Sequence, residues 1–189
     1  MSQNIFPIHD NTTIVLKMHA DLDLQGWDRA DASAVCRRRD LKVMQAEAGK
    51  LVVVCHDDCV LNLPKGLTVL IEHVGGDLNV RNFDTDLVVR HVGGDLTVLD
   101  VVSLEAEKVG GDVQLFDIPG PVAVRRLGGD LIAFHLGAAL RADIGGDAEL
   151  AALVGDVQLR AGGDIELGLI QFGADPVYLH AGGDIDLRL

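Results

Sequence analysis

Seven aspartates that recur at a nearly constant spacing are the first residues whose arrangement suggests chemistry. Each follows a Gly-Gly pair, and they are Asp77, Asp95, Asp112, Asp130, Asp147, Asp164 and Asp184. If each repeat forms one coil of a stacked fold, neighbouring carboxylates lie about 4.8 Å apart and repel each other by about 1 kcal/mol in water. A bound Ca²⁺ would compensate this repulsion, with Asp77, Asp95, Asp112, Asp130 and Asp147 as its candidate ligands. We favour the alternative that each carboxylate accepts backbone N–H groups at its own corner, because calcium-binding β-rolls carry their aspartate three residues later in the repeat.

The segment Cys55-His56-Asp57-Asp58-Cys59 is a second possible site, because it offers thiolate, imidazole and carboxylate groups within five residues. A zinc site needs a fourth ligand and usually a Cys-x₂-Cys knuckle, whereas the spacing here is Cys-x₃-Cys. We therefore favour a turn between two strands. Cys36 makes the cysteine count odd, and since the N-terminus lacks the features of a secretory signal we expect three reduced thiols and a cytoplasmic protein.

Catalytic groupings are hard to assemble from the rest of the sequence. No Ser-His-Asp set is apparent, and no glycine loop is followed by the Lys-Ser/Thr pair of a phosphate site. An enzyme acting on polysaccharide needs paired carboxylates in a groove and aromatic side chains that stack on sugars, but the chain has one Trp and one Tyr. The sequence therefore favours a non-enzymatic protein that uses no cofactor.

The Gly-Gly-Asp repeat also predicts the fold that positions these residues. Successive copies are separated by 18, 17, 18, 17, 17 and 20 residues. When the repeats are aligned, the column after Gly-Gly-Asp contains Leu78, Leu96, Val113, Leu131, Ala148, Ile165 and Ile185, and five further columns are equally apolar. Within each half-repeat the apolar residues alternate with polar ones, which is typical of a strand with one buried face. We predict an all-β, single-stranded-type parallel β-solenoid with coils of about 17–18 residues, two strands per coil and a right-handed turn.

Glycines and the N-terminal region complete this prediction. We expect the Gly-Gly pairs to give the corners positive φ angles.

Residues 1–64 contain several short β-type runs, and Trp27–Arg39 reads as a loop or a short helix. We assign 1–64 to an N-terminal β cap and 65–189 to the solenoid repeats, because an open first coil would expose a strand edge and an apolar cross-section.

Composition excludes two classes of partner. The formal net charge is −13, with 29 acidic and 16 basic residues, so the chain is unsuited to neutralising the phosphates of nucleic acid. No run of eighteen apolar residues is present, so no membrane insertion is expected.

Two surfaces are predicted to make contacts between molecules. One outward column places Leu99, Phe116 and Phe134 on successive coils, and exposed apolar stripes of this kind usually mark contact surfaces. The alternative is that this column lies at a bend and turns inward. The second surface is the final coil, where Ile185, Leu187 and Leu189 would form an uncapped strand edge. We expect this end to make the protein a homo-oligomer, either a dimer or a filament.

A family resemblance rests on the repeat and on the segment before it. Leu61-Asn62-Leu63-Pro64-Lys65-Gly66-Leu67 leads into Leu70-Ile71-Glu72 and then into Gly75-Gly76-Asp77-Leu78-Asn79-Val80. Over nearly the whole chain this pattern resembles the widespread bacterial putative-adhesin family of unknown function, whose members are predicted β-solenoids. The resemblance implies a surface-exposed, adhesive protein. The architecture is more distantly similar to bactofilins, cytoplasmic β-helical proteins that polymerise end to end.

Three functional hypotheses follow. The favoured one is a structural scaffold that self-associates through its C-terminal coil. The alternative is an adhesin-like module that binds a ligand or Ca²⁺. An enzyme acting on polysaccharide is the least favoured.

Overall fold

The computed structural model describes residues 2–8, 12–36, 41–47, 49–172 and 177–188. Within these ranges every regular element is a β-strand, and the nineteen strands are joined by continuous pairing. None of the described residues forms a helix that is long and apolar enough to cross a membrane. The predicted all-β class is confirmed.

The strands are short at both ends of the molecule and longer in the middle. The N-terminal strands are β1 (Ser2–Pro7), β2 (Thr13–Met18), β3 (Leu22–Trp27), β4 (Asp31–Cys36), β5 (Lys42–Glu47), β6 (Lys50–Cys55), β7 (Cys59–Pro64) and β8 (Val69–Val74). The repeats contain β9 (Leu78–Val92), β10 (Leu96–Val109), β11 (Val113–Ile118), β12 (Val122–Leu127), β13 (Leu131–Leu136), β14 (Leu140–Ile144), β15 (Ala148–Gly155), β16 (Val157–Ala161), β17 (Ile165–Phe172), β18 (Tyr178–Ala181) and β19 (Ile185–Arg188).

Residues one repeat apart pair in parallel, which is the defining feature of the solenoid. Leu96 pairs with Leu78 on one side and with Val113 on the other. All three side chains are fully buried. The same register continues through β13, β15, β17 and β19 for the first half of each coil, and through β12, β14, β16 and β18 for the second half. The predicted stacking of coils is therefore confirmed, and the aliphatic columns form the core.

The first coil in the sequence is not the first coil in space. Ile14 in β2 pairs with Leu51 in β6 on one side and with Val69 in β8 on the other. In the same way β3 lies between β7 and β9. The chain therefore forms coil β2–β3, adds coil β6–β7 outside it, and then crosses to the other side to begin the repeats at β8.

Antiparallel strands cover the outermost coil. β4 pairs with β7 and with β1, and β5 pairs with β6. The expectation of a loop or helix at Trp27–Arg39 is wrong for β4, while residues 37–40 lie outside the described part of the chain. In β4 the small residues Ala32, Ser33 and Ala34 are all buried, so this strand lacks the clear apolar–polar alternation that identifies the strands of the repeats.

The corners differ from the prediction in how glycine is used. Among the described glycines only Gly49 and Gly155 have positive φ, so the expected positive φ at the Gly-Gly pairs is wrong. A Cβ added to Gly110 would instead lie closer than 3.0 Å to the carbonyl oxygen of Gly93 one coil away. The Gly-Gly pairs are needed because backbones approach closely there.

Positive φ occurs at another position of the coil. Asn82, Asp100, Asp117, His135 and Ala152 all have φ between 56° and 61°. Each lies between two buried residues that are three positions apart rather than two, as in Val80 and Phe83. The left-handed residue absorbs the extra position, as in a bulge, so that both neighbours can face the core.

Candidate functional site

The aspartates of the repeat form a hydrogen-bonded column along one corner of the solenoid. From Asp77 to Asp164, each Oδ1 accepts the backbone N–H of the equivalent aspartate in the next coil, for example Asp112 from Asp130 at 2.9 Å. The six such bonds measure 2.7 to 2.9 Å. The prediction that the N–H donors come from the same corner is therefore wrong: the side chains link one coil to the next.

The column extends beyond the repeats. Asp21 accepts the N–H of Asp77 at 2.9 Å, although His19 and Ala20 stand where the repeats have Gly-Gly. Sequence analysis missed Asp21, and the signal that identifies it is Asp21-Leu22-Asp23-Leu24, which shares an Asp-Leu-x-aliphatic pattern with the first repeat. The five candidate calcium ligands, Asp77, Asp95, Asp112, Asp130 and Asp147, all belong to this column and use Oδ1 to bind a backbone N–H.

Two substitutions of Asp112 separate the role of its carboxylate as a hydrogen-bond acceptor from the role of its negative charge. We expect Asp112→Ala to lower the free energy of unfolding by about 1 kcal/mol, because the N–H of Asp130 loses its acceptor. Asp112→Asn keeps an acceptor oxygen and removes one of a row of like charges, so it should change stability by less than about 0.5 kcal/mol. Urea unfolding in chelator and in excess calcium measures both variants. If both variants lost the same amount of stability, and only in calcium-containing buffer, Asp112 would be a metal ligand instead.

The outward stripe, defined as Leu99, Phe116 and Phe134, lies in register on three successive coils. The Phe116 and Phe134 rings stack with centroids 5.9 Å apart and planes 8° from parallel. Both phenylalanines are half-buried, whereas Leu99 is 37% exposed. The stripe is therefore a continuous apolar strip that remains accessible to solvent.

The C-terminal coil presents an apolar edge. Ile185 and Leu187 in β19 are 44% and 48% exposed, whereas Ile165 and Leu167, their register partners in β17, are 1% exposed. β19 pairs with β17, and no other described residue pairs with it. Leu189, which we also predicted at this edge, lies outside the described residues.

A cationic groove follows the second strands of the last coils. It has a volume of about 890 Å³, and Arg125, Arg141, Arg160 and His180 contribute to its lining. Arg125 is paired with Glu105 at 2.6 Å. The three arginines are exposed, which is typical of a solvated face.

Histidines form a surface column beside the first corners, in which His19 and His56 are exposed and His73 and His91 are half-buried. His56 stacks on His19 at 4.4 Å, and His73 stacks on His91 at 5.1 Å. The pKa of His73 is lowered by burial and then by the neighbouring imidazoles, so this ring is neutral at pH 7. His56 therefore belongs to a surface column, and the Cys55–Cys59 segment does not bring its imidazole together with its thiols.

Three buried thiols instead come together from different strands. Cys36 lies at the end of β4, Cys55 at the end of β6 and Cys59 at the start of β7, and their Sγ atoms all lie within 4.8 Å of one another. Burial raises the pKa of Cys36 to about 11 and that of Cys59 further still. Sequence analysis missed this cluster, because only the antiparallel docking of β4 brings Cys36 to the other two.

Comparison with known proteins is informative about the fold alone. No family model matches the sequence, and no curated protein matches it. A solved structure described as a "putative adhesin" from Bacteroides fragilis is 14% identical, aligns over 98% of this chain and 96% of its own, and gives a TM-score of 0.53.

Two further solved structures show weaker likeness. A "putative cell adhesion protein" from Clostridium sporogenes is 12% identical over 99% of this chain and 98% of its own, with a TM-score of 0.38. A "putative adhesin" from Parabacteroides distasonis is 12% identical over 98% and 96%, with a TM-score of 0.36. The first comparison confirms the predicted resemblance at the level of architecture: the chain is a β-solenoid similar to a bacterial structure described as a "putative adhesin".

Proposed function

We propose that this protein is a non-enzymatic scaffold that forms a closed homodimer through the C-terminal coil of its solenoid. The observation that carries the proposal is the contrast between β17, whose Ile165 and Leu167 are buried, and β19, whose Ile185 and Leu187 are about half exposed. Each earlier coil is covered by the next one. A second molecule would supply the missing cover.

The backbone of the last coil supports the same contact. β18 and β19 pair with β16 and β17 on one side, and among the described residues nothing occupies their other side. Strand edges with free N–H and C=O groups readily pair with another chain. The carboxylate of Asp164 accepts the N–H of Asp184, but no described N–H donates to Asp184 in turn. Among the residues that the structure describes, the last carboxylate of the column therefore lacks the N–H donor that each earlier one has.

The two ends of the molecule favour a dimer over a filament. Strands β4 and β5 occupy the edges of the outermost N-terminal coil. A head-to-tail stack would therefore find no open coil to extend. A two-fold axis, in contrast, places β19 of one molecule antiparallel to β19 of its partner, and the same residues cover each other.

Support for a non-enzymatic role comes from the chemistry of the clustered groups. Among the described residues, the three thiols are the one set of three or more His, Cys, Asp or Glu side chains whose ligand atoms lie within 4.8 Å of one another. Cys36 and Cys59 are buried with raised pKa values, so they are protonated at neutral pH and are poor nucleophiles.

Sedimentation velocity at micromolar concentration tests the dimer. We expect the native chain to sediment as a dimer and Leu187→Asp to sediment as a folded monomer, because the substitution places a charge in the apolar contact. Val154→Asp is the matched control: Val154 is 45% exposed but lies on β15, away from the last coil, and this variant should remain dimeric. A monomeric native chain, or a dimeric Leu187→Asp variant, would refute the proposal.

A second candidate is an adhesive module that uses the outward stripe. The stacked Phe116 and Phe134 rings favour it, since a half-buried aromatic pair on a regular surface resembles the centre of a protein contact. The same experiment separates the two ideas. If Phe134→Asp dissociates the dimer while Leu187→Asp does not, the stripe is the contact surface.

A further inference from the structure

Cys36 and Cys59 are direct neighbours on two antiparallel strands. They are register partners between β4 and β7. The N–H of Cys59 donates at 3.0 Å to the carbonyl of Asp21, the residue before β3, so it points away from β4. The two cysteines therefore form a non-hydrogen-bonded pair, in which the side chains approach most closely and the Cα atoms lie about 4.5 Å apart. That separation falls within the range of about 4.4–6.8 Å that a disulfide requires.

The side chains already face each other across this pair. The two Sγ atoms are 2.9 Å apart, and both residues are no more than 3% exposed. The sulfur of Cys55, within 4.8 Å of both, donates to the carbonyl of Asp57 at 3.3 Å. Cys36 and Cys59 are thus the pair whose sulfurs are in closest contact, while the Cys55 sulfur also has a backbone acceptor.

A thiophilic metal ion fits this arrangement less well. Sulfur ligands about 2.3 Å from a tetrahedral ion stand about 3.8 Å from each other, which is farther than Cys36 and Cys59 are now. Three thiolates around Zn²⁺ or Cu⁺ would also leave net negative charge among buried apolar residues, at a large desolvation cost. A disulfide with one remaining thiol is uncharged.

We propose that Cys36 and Cys59 form a disulfide that fastens the cap strand β4 to the outermost coil, with Cys55 remaining a free thiol. In the reaction two S–H bonds are replaced by one S–S bond. The two protons and two electrons pass to a low-molecular-weight disulfide, which is reduced to two thiols. The bond closes a loop of 23 residues that contains β5 and β6, so it restricts the unfolded chain and holds the cap in place.

Refolding the full chain from urea, in glutathione disulfide or in dithiothreitol, tests this inference. After oxidation, alkylation in denaturant should label one thiol per chain instead of three, and peptide mapping should find Cys36 linked to Cys59. The midpoint of thermal unfolding should rise by about 5–10 °C relative to the reduced protein. Cys55→Ser should show the same rise, whereas Cys36→Ala should show none.

The thiol count of the unsubstituted chain keeps the test decisive even if a variant folds poorly. Three free thiols after oxidative refolding, or a disulfide that includes Cys55, would overturn the proposal. So would uptake of one Zn²⁺ or Cu⁺ per chain that protects all three thiols from alkylation, since this result identifies a metal site. Because the cap lies at the opposite end of the solenoid from β19, each outcome is independent of the proposed dimer.

Discussion

Gly110→Ala is expected to destabilise the protein by about 4 kcal/mol, the largest loss that we predict for a single added methyl group. The new Cβ would clash with the carbonyl oxygen of Gly93 and crowd its carbonyl carbon, and these backbone atoms cannot rotate away. Relief of the clash requires neighbouring coils to separate at this corner. That movement strains two hydrogen bonds, from the N–H of Gly110 to Val92 and from the N–H of Gly111 to Gly94.

Gly66→Ala is the matched control for this substitution. No atom lies within 4 Å of the position of its added Cβ, and its φ does not lie in the left-handed region. We therefore expect stability to change by less than about 1 kcal/mol. Urea unfolding followed by circular dichroism compares the two variants. Equal, small effects would show that coils do not approach closely at the Gly-Gly corner.

Leu115→Ala is expected to cost about 3 kcal/mol. Leu115 is fully buried and stacks between Val98 and Ala133 in the first half of its coil. Because Ala133 is already small, the residues around position 115 cannot easily fill the space that the substitution leaves. The loss of stability therefore combines the lost burial of the leucine side chain with the cost of the cavity that remains.

The same chemical change on the outer face should have a much smaller effect. Leu99 lies one coil away, on the outward stripe, and is 37% exposed, so Leu99→Ala should cost less than about 1 kcal/mol. Chemical denaturation of both variants measures the difference. If Leu99→Ala were the more damaging, the inward and outward columns would have been assigned the wrong way round.

The repeated part of the fold was predictable because one residue type recurs at each position of the coil. Alternation placed Leu78, Leu96 and Val113 in a single buried column, and the structure pairs them directly. The physical basis is strong: a shift of one residue would move every aliphatic side chain to the solvent face. The repeat itself therefore fixes the register.

The N-terminal region was not predictable in the same detail. Its coils lack the glycine pairs, and the insertion of β2–β3 between later strands depends on contacts between distant segments. Alternation indicates that β2 is a strand but does not specify which strands it pairs with. For the same reason, nothing in the local sequence places Cys36 beside Cys59.

The corner glycines show where a prediction from local sequence fails. Positive φ is a property of one residue, and it led us to expect turn geometry at Gly110 and its equivalents. The structure places positive φ at Asn82 and its equivalents and uses glycine for close stacking. Close approach between coils is a tertiary property that a sequence pattern does not distinguish from a turn.

Couplings across hydrogen bonds, measured by NMR on the isotopically labelled protein, test the stacking of coils most directly. We predict a scalar coupling between the amide nitrogen of Leu96 and the carbonyl carbon of Asp112. The Leu96 N–H donates to the carbonyl oxygen of Asp112, with nitrogen and oxygen 2.8 Å apart. A second coupling, between Leu22 and Asp77, would confirm that the first coil lies beside the repeats. If these amides couple instead to carbonyls within a few residues of themselves, the stacked solenoid is contradicted.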